Sequence, residues 1–312
     1  MYEEFYGLSE SPFSLTPDPK FFYRGESHLR AVELLRYGIH RGEGFIVVYG
    51  DIGTGKTTVC RTVLENVPQN LYTALLLNPF LSETDLLRAI LRDFGVISQE
   101  TPNKAQSPVS KDDLIMSLNT FLLSITRLGG RALVLIDEAQ NLPIPTLEQI
   151  RILSNLETHN QKLLQIILVG QSELKEILSR PELRQLNQRI SLRCELLPLS
   201  RDETGQYIHH RISMASAGRS RLMFMPGAVK VIYDYSKGTP RLINLIADRC
   251  LIIGLASETT TINRKIAKES VRNLELPKQL GLRYARVAMV LVVAMALSLL
   301  LIWAFTRGGF PP

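Results

Sequence analysis

Apolar residues keep two rhythms along this chain, and the change from one to the other divides it. Phe45 to Tyr49 (FIVVY), Leu71 to Leu77, Ala132 to Ile136, Leu164 to Val169 and Ile190 to Glu195 are short runs of neighbouring apolar residues. Continuous hydrophobicity of this kind predicts strands covered on both faces, as in a parallel sheet. Between the runs, helical periodicity covers Thr57 to Asn66, Glu83 to Phe94, Asp113 to Arg127 and Thr146 to Thr158. Alternating strand and helix imply an α/β fold with right-handed crossovers. From Ser200 the strand runs stop, and Asp202–Ser216, Pro226–Tyr235, Arg241–Ala256 and Asn263–Asn273 read as helices of a compact helical domain.

The two ends follow neither rhythm. Phe5, Tyr6, Pro12, Phe13, Pro17, Pro19, Phe21, Phe22 and Tyr23 crowd the first segment, which reads as a strap packed on the domain. Ser27 is placed to N-cap a helix through Leu29, Val32, Leu35 and Ile39, broken at Arg41–Gly44. Ile97 to Asp112 encloses a polar, proline-containing surface loop. Val287 to Phe305 is uncharged for 19 residues, the length of a membrane-spanning helix, with Trp303 and Phe305 at its interfacial end. Lys278, Arg283 and Arg286 precede it and Arg307 alone follows, so the positive-inside bias places the N-terminal bulk in the cytoplasm.

Composition narrows the class only a little. Hydrophobic residues make up 45% and charged residues 21% of the 312, enough for a sizeable core and against general disorder. A net charge of +6 permits an acidic partner, phospholipid or nucleic acid, without choosing one. Cys60, Cys194 and Cys250 lie far apart, which argues against a metal knuckle or disulfide framework and suits a reducing compartment. The acidic start MYEEFYGLSESPF has no apolar signal region.

The chemistry is concentrated where strands end. Gly50-Asp51-Ile52-Gly53-Thr54-Gly55-Lys56-Thr57, followed by Thr58, fits the P-loop pattern, with a strand before it and a helix after it. Its glycines let backbone N–H groups turn inward on phosphate oxygens, Lys56 reaches the β- and γ-phosphates, and Thr57 offers a hydroxyl to Mg²⁺. The run ALVLIDE places Asp137 to hold the metal and Glu138 to polarise an attacking water. Gln171, at the end of the strand Leu164 to Val169, either senses the γ-phosphate or caps a turn. Arg189 is placed to reach a neighbouring subunit's γ-phosphate, with Arg184 its rival. Arg241, in Gly238-Thr239-Pro240-Arg241, opens a helix from which it can touch the nucleotide and couple it to domain angle. Asn244 caps or packs.

Taken in order, FYGLSESPFSLTPDPKFFY, GDIGTGKTTVCR, LVLIDEAQNL, LSNLETHNQKLLQIILVGQSEL, LRQLNQRISLRCEL and KGTPRLINLIADRCL resemble AAA+ ATPases of the ExeA/GspA type, the general secretion pathway A proteins, over Met1 to about Leu276. The resemblance implies a parallel five-stranded core with an α-helical lid, ATP and Mg²⁺ between them, and a ring or dimer in which Arg189 acts in trans. It divides the chain into a strap (1–26), core (27–199), lid (200–274), linker (275–286), membrane helix (287–305) and short periplasmic tail (306–312). ExeA-like proteins carry a peptidoglycan-binding domain beyond the membrane helix. Thr306 to Pro312 is too short for one, so direct cell-wall binding is not expected.

The expected protein is thus a single-pass inner-membrane ATPase that drives assembly or remodelling of a secretion, pilus or exopolysaccharide export machine, with proteins of that machine as partners. Two alternatives stand beside it. One is a DNA-associated regulator similar to transposition ATPases, which the spanning segment and the lack of a separate DNA-binding domain oppose. The other is a nucleotide-gated scaffold with little turnover.

Overall fold

The computed structural model describes residues 2–77, 80–97, 110–158 and 161–274. The expected linker, membrane helix and tail lie outside these, as does most of the loop between Ile97 and Asp112. Among the described residues no helix is long and apolar enough to cross a membrane.

Helix α1 (Glu3–Tyr6) and a 3-10 turn (Pro19–Phe21) are the regular parts of the N-terminal strap. Helix α2 (Glu26–Arg41) leads to β1 (Phe45–Tyr49), α3 (Lys56–Leu64), β2 (Leu71–Leu76), α4 (Glu83–Asp93) and α5 (Lys111–Arg127). Then come β3 (Arg131–Ile136), α6 (Ile144–Leu153), β4 (Leu164–Gly170), α7 (Glu173–Leu178), α8 (Arg184–Arg189) and β5 (Leu192–Glu195). The five strands form one parallel sheet in the order β2-β3-β4-β1-β5. Every residue of β1 and β4 is buried, which explains their unbroken hydrophobicity. One face of the sheet packs on α4, α5 and α6 through Leu86, Leu118 and Leu147, the other on α2 and α3 through Leu35 and Val59.

Tertiary contacts set several element ends that local signals misplace. Ser27 does not cap α2. The helix starts one residue earlier behind Gly25, and the Glu203 carboxylate of the helical domain accepts the Glu26 N–H at 2.9 Å. Ser27 Oγ instead accepts the Leu197 N–H at 2.9 Å. Helix α6 stops at Leu153 rather than Thr158, because Glu157 turns to bridge Lys162 before β4. The last strand begins at Leu192, since Arg189 still belongs to α8.

The chain after Ser200 forms α9 (Arg201–Ser216), α10 (Pro226–Ser236), α11 (Pro240–Ala256) and a helical stretch 264–274. It is not purely helical: β6 (Met223–Phe224) pairs in parallel with β7 (Thr261–Ile262). A capping box between Ser200 and Glu203 starts α9 where the sheet ends. The aromatic strap supplies part of this domain's core: Tyr2, Tyr6, Phe13 and Phe21 are buried with Ile208, Ile232, Ile246 and Leu251.

Candidate nucleotide site

Fully buried β1 delivers the chain into a loop that favours glycine at two positions. Gly53 and Gly55 take φ of +81° and +97°, a left-handed region that other residues reach at a cost of about 1–2 kcal/mol. The loop ends in the first turn of α3, whose N–H groups have no acceptor within the helix and carry the positive end of its dipole. Lys56 opens that helix and is 6% exposed. Its Nζ donates to the carbonyls of Gly50 and Asp51 at 2.8 and 2.9 Å. Burial pushes its ammonium below the usual lysine range, against the opposing charges of Glu138, Asp137 and Asp51.

Thr57 and Asp137 arrive from different elements and meet. Thr57 Oγ1 donates to Asp137 Oδ2 at 2.7 Å, and Asp137 is buried at the end of β3. Asp137 Oδ1 accepts the Glu138 N–H at 2.9 Å. Glu138 has a φ of +53°, a strained value for a residue with a side chain. That turn brings it to the cavity wall. Its Oε2 accepts from Gln140 Nε2 at 2.6 Å and Gln171 Nε2 at 3.0 Å. Gln171 N–H in turn donates to Gln140 Oε1 at 3.0 Å. Gln171 therefore reaches the acidic pair rather than merely ending a strand. Ser172 Oγ ties the same strand end to the loop through Asp51 Oδ1 at 2.8 Å.

A cavity of about 310 Å³ lies over this apparatus, lined by Ile52, Gly53, Gly55, Lys56, Thr57 and Thr58 on one side. Arg241 lines it from the helical domain, and its N–H donates to Gly53 O at 3.2 Å, so the two domains touch through the loop itself. Asn244 packs rather than caps, accepting from Tyr207 OH at 2.8 Å. Arg189 lies apart, donating from Nη1 to Ser154 Oγ at 2.7 Å, and Arg184 is exposed at the start of α8. Neither lines the cavity of its own chain.

One contributor gave no signal in the sequence, and a second, the strap, was legible there without its place at the site. His28, 5% exposed on α2, bonds Thr54 O through Nε2 at 2.9 Å, and burial holds its pKa below the usual histidine value. A lone histidine near a helix start carries no motif. The strap also walls the cavity, through Ser14–Asp18 and Phe21–Tyr23.

The donor set fits a metal triphosphate. One hydroxyl and one carboxylate in contact, with no cluster of three acidic, histidine or cysteine ligands among the described residues, suit a hard cation that takes its remaining oxygens from phosphate and water.

A parallel sheet with a phosphate-type loop after β1, an acidic pair after β3 and a helical domain over the loop defines an AAA-type P-loop nucleotide-binding protein, and residues 39–178 match the AAA domain family. The chain belongs with the ExeA/GspA type within it. It is 45% identical over 260 residues to General secretion pathway protein A of Aeromonas hydrophila, covering 82% of this chain and 45% of that protein. The chain thus spans less than half the length of that relative. Among solved structures it is similar to Cdc6p from Pyrobaculum aerophilum, with a TM-score of 0.64, 16% identity and coverage of 84% and 70% of the two chains. The ORC2 protein of Aeropyrum pernix, solved as ADPNP–ADP complexes, gives 0.57, 15%, 81% and 71%. At these identities the likeness is one of fold.

Proposed function

We propose that the chain binds MgATP between the P-loop and the helical lid and hydrolyses it to drive assembly or remodelling of a bacterial export machine. The observation that carries this reading is the Thr57–Asp137 contact beside buried Lys56, which assembles a metal-holding pair at the mouth of an amide-lined loop. MgATP brings the scissile phosphoanhydride and the metal charge that offsets its negative oxygens. Gly53 to Thr58 would bind phosphate oxygens through backbone N–H groups and Lys56 through its ammonium. Thr57 and Asp137 would hold the metal, directly or through its water shell. Glu138 would accept a proton from the attacking water, and Gln171 would orient both. Arg241 reports the state of the loop to the lid because its backbone is bonded to Gly53.

Arg189 serves in this reading as a finger toward a neighbouring copy, which makes the active form a homo-oligomer. The 19-residue apolar segment anchors the chain in the inner membrane with the ATPase on the cytoplasmic side. The export machine follows from the relative's name and is part of the proposal.

Phosphate release by the full chain in lipid nanodiscs tests it. Wild type turns over ATP and Lys56→Ala does not; equal, background-level release from both would overturn the enzymatic reading. A second reading, a scaffold gated by nucleotide with little turnover, draws on the two amides that hold the Glu138 carboxylate. Glu138→Gln separates them: unchanged complex assembly with turnover abolished would favour the scaffold.

A further inference from the structure

Arg211, on α9, is 6% exposed, and no carboxylate among the described residues pairs with it. A buried cation without a counter-ion is costly, so its partners must account for it. Nε donates to the Pro12 carbonyl, Nη1 to the Tyr207 hydroxyl at 2.9 Å and Nη2 to the Ser14 carbonyl at 3.5 Å. The guanidinium also lies 4.6 Å from the centre of the Phe21 ring. Tyr207 OH passes the chain to Asn244 Oδ1, and Asn244 Nδ2 returns to Ser14 O at 3.3 Å. Three lid residues thereby close a ring around two carbonyls of the strap, and all three line the cavity.

Other strap bonds run the same way. Ser9 N and Oγ both reach Ala215 O, at 2.8 and 2.6 Å. Tyr6 OH donates to Leu251 O at 2.9 Å and Tyr23 OH to Gln206 Oε1 at 2.7 Å. Toward the sheet domain the strap makes a long bond from Arg61 Nη1 to Pro17 O at 3.4 Å and an edge contact of Phe22 with His28.

We infer that Arg211 is a positioning residue that locks the N-terminal strap to the lid, so that the two move as one jaw over the nucleotide site. The inference deepens the nucleotide reading and rests on it for the word nucleotide. The wall opposite the P-loop then follows the lid angle. A lid that swings at Arg241 carries Ser14 to Tyr23 with it, opening or closing the far end of the cavity in the same motion.

Spin-label distances in the full chain decide it, because Cys60, Cys194 and Cys250 are buried and leave introduced cysteines to take the label. Labels at Ser9→Cys on the strap, Lys230→Cys on the lid and Arg127→Cys on the sheet domain give three distances. On adding a non-hydrolysable ATP analogue with Mg²⁺, both distances to position 127 shift together while the 9–230 distance stays fixed. A strap label that stays with position 127 while the lid label moves would overturn the inference.

A second arm needs no nucleotide. Arg211→Ala should broaden the 9–230 distribution, and Arg211→Lys, which keeps the charge but loses the fork, should broaden it less. An unchanged distribution in Arg211→Ala would overturn the role of that residue whether or not ATP binds. Absence of ATP affinity with the broadening present would instead sink the ATPase reading. In turnover, Arg211→Ala should raise KM for ATP about tenfold with kcat changed less than about twofold, the pattern of lost binding wall rather than lost chemistry.

Discussion

Gln171 donates its side-chain amide to the Glu138 carboxylate at 3.0 Å, on the same oxygen that Gln140 holds at 2.6 Å. The Glu138 carboxylate is thereby held by two amides from two different elements, the end of β4 and the turn after β3. The backbone φ of +53° at Glu138 makes the aim a feature of the turn rather than of a free rotamer.

Gln171→Ala should therefore lower kcat by about 10–100-fold, the usual range for losing one group that orients acid–base chemistry, with KM for ATP nearly unchanged. Glu138→Gln should remove turnover and keep nucleotide affinity. Steady-state phosphate release together with equilibrium nucleotide binding measures both.

Gly53→Ala tests the contact between loop and lid. A Cβ there would lie 2.7 Å from Arg241 Cβ and would also have to accept a φ of +81°. The expected outcome is a loss of about 1–3 kcal/mol in denaturant unfolding, from backbone strain, with weaker ATP binding because Arg241 is pushed off the loop.

The sheet core is tightly filled, so Leu133→Ala, at a wholly buried position of β3, should cost about 2–5 kcal/mol in the same unfolding experiment.

Acid sensitivity follows from His28. Burial lowers its pKa in the fold, opposed by its bond to Thr54 O, so the unfolded chain binds the proton first as pH falls. Its stabilising share is present above the unfolded value of about 6.5 and is lost as pH falls through the folded value. Between about pH 7 and pH 5 wild-type stability should drop, and His28→Gln should flatten that dependence. His210 is also held low, chiefly by burial and then by Arg211, so the double substitution should flatten it further. Denaturant midpoints across that pH range provide the readout.

The sheet was legible because its central strands are buried on both faces: each of the first four apolar runs, from Phe45 to Val169, became a strand, displaced by a residue at most at its ends. Gly50 to Thr58 and Asp137–Glu138 were legible because phosphate chemistry demands those residue types at fixed spacing. Ser27 misled because a side chain 176 positions further on, Glu203, caps α2. Neither Gln140, His28 nor Arg211 showed in the sequence, since each acts through a partner brought close only by folding: Glu138, Thr54 and the strap carbonyls. The β6–β7 ribbon is two residues per strand, too short for any periodicity.

The central claim is that the loop from Gly50 to Thr58 with Asp137 holds a magnesium–triphosphate. Calorimetric titration of ATP into the full chain, with and without Mg²⁺, tests it most directly. The account predicts saturable one-site binding that weakens at least about tenfold when Mg²⁺ is removed or Lys56 becomes Ala, a loss of about 1.4 kcal/mol or more. Heat of binding that is absent in wild type, or indifferent to both changes, would contradict it.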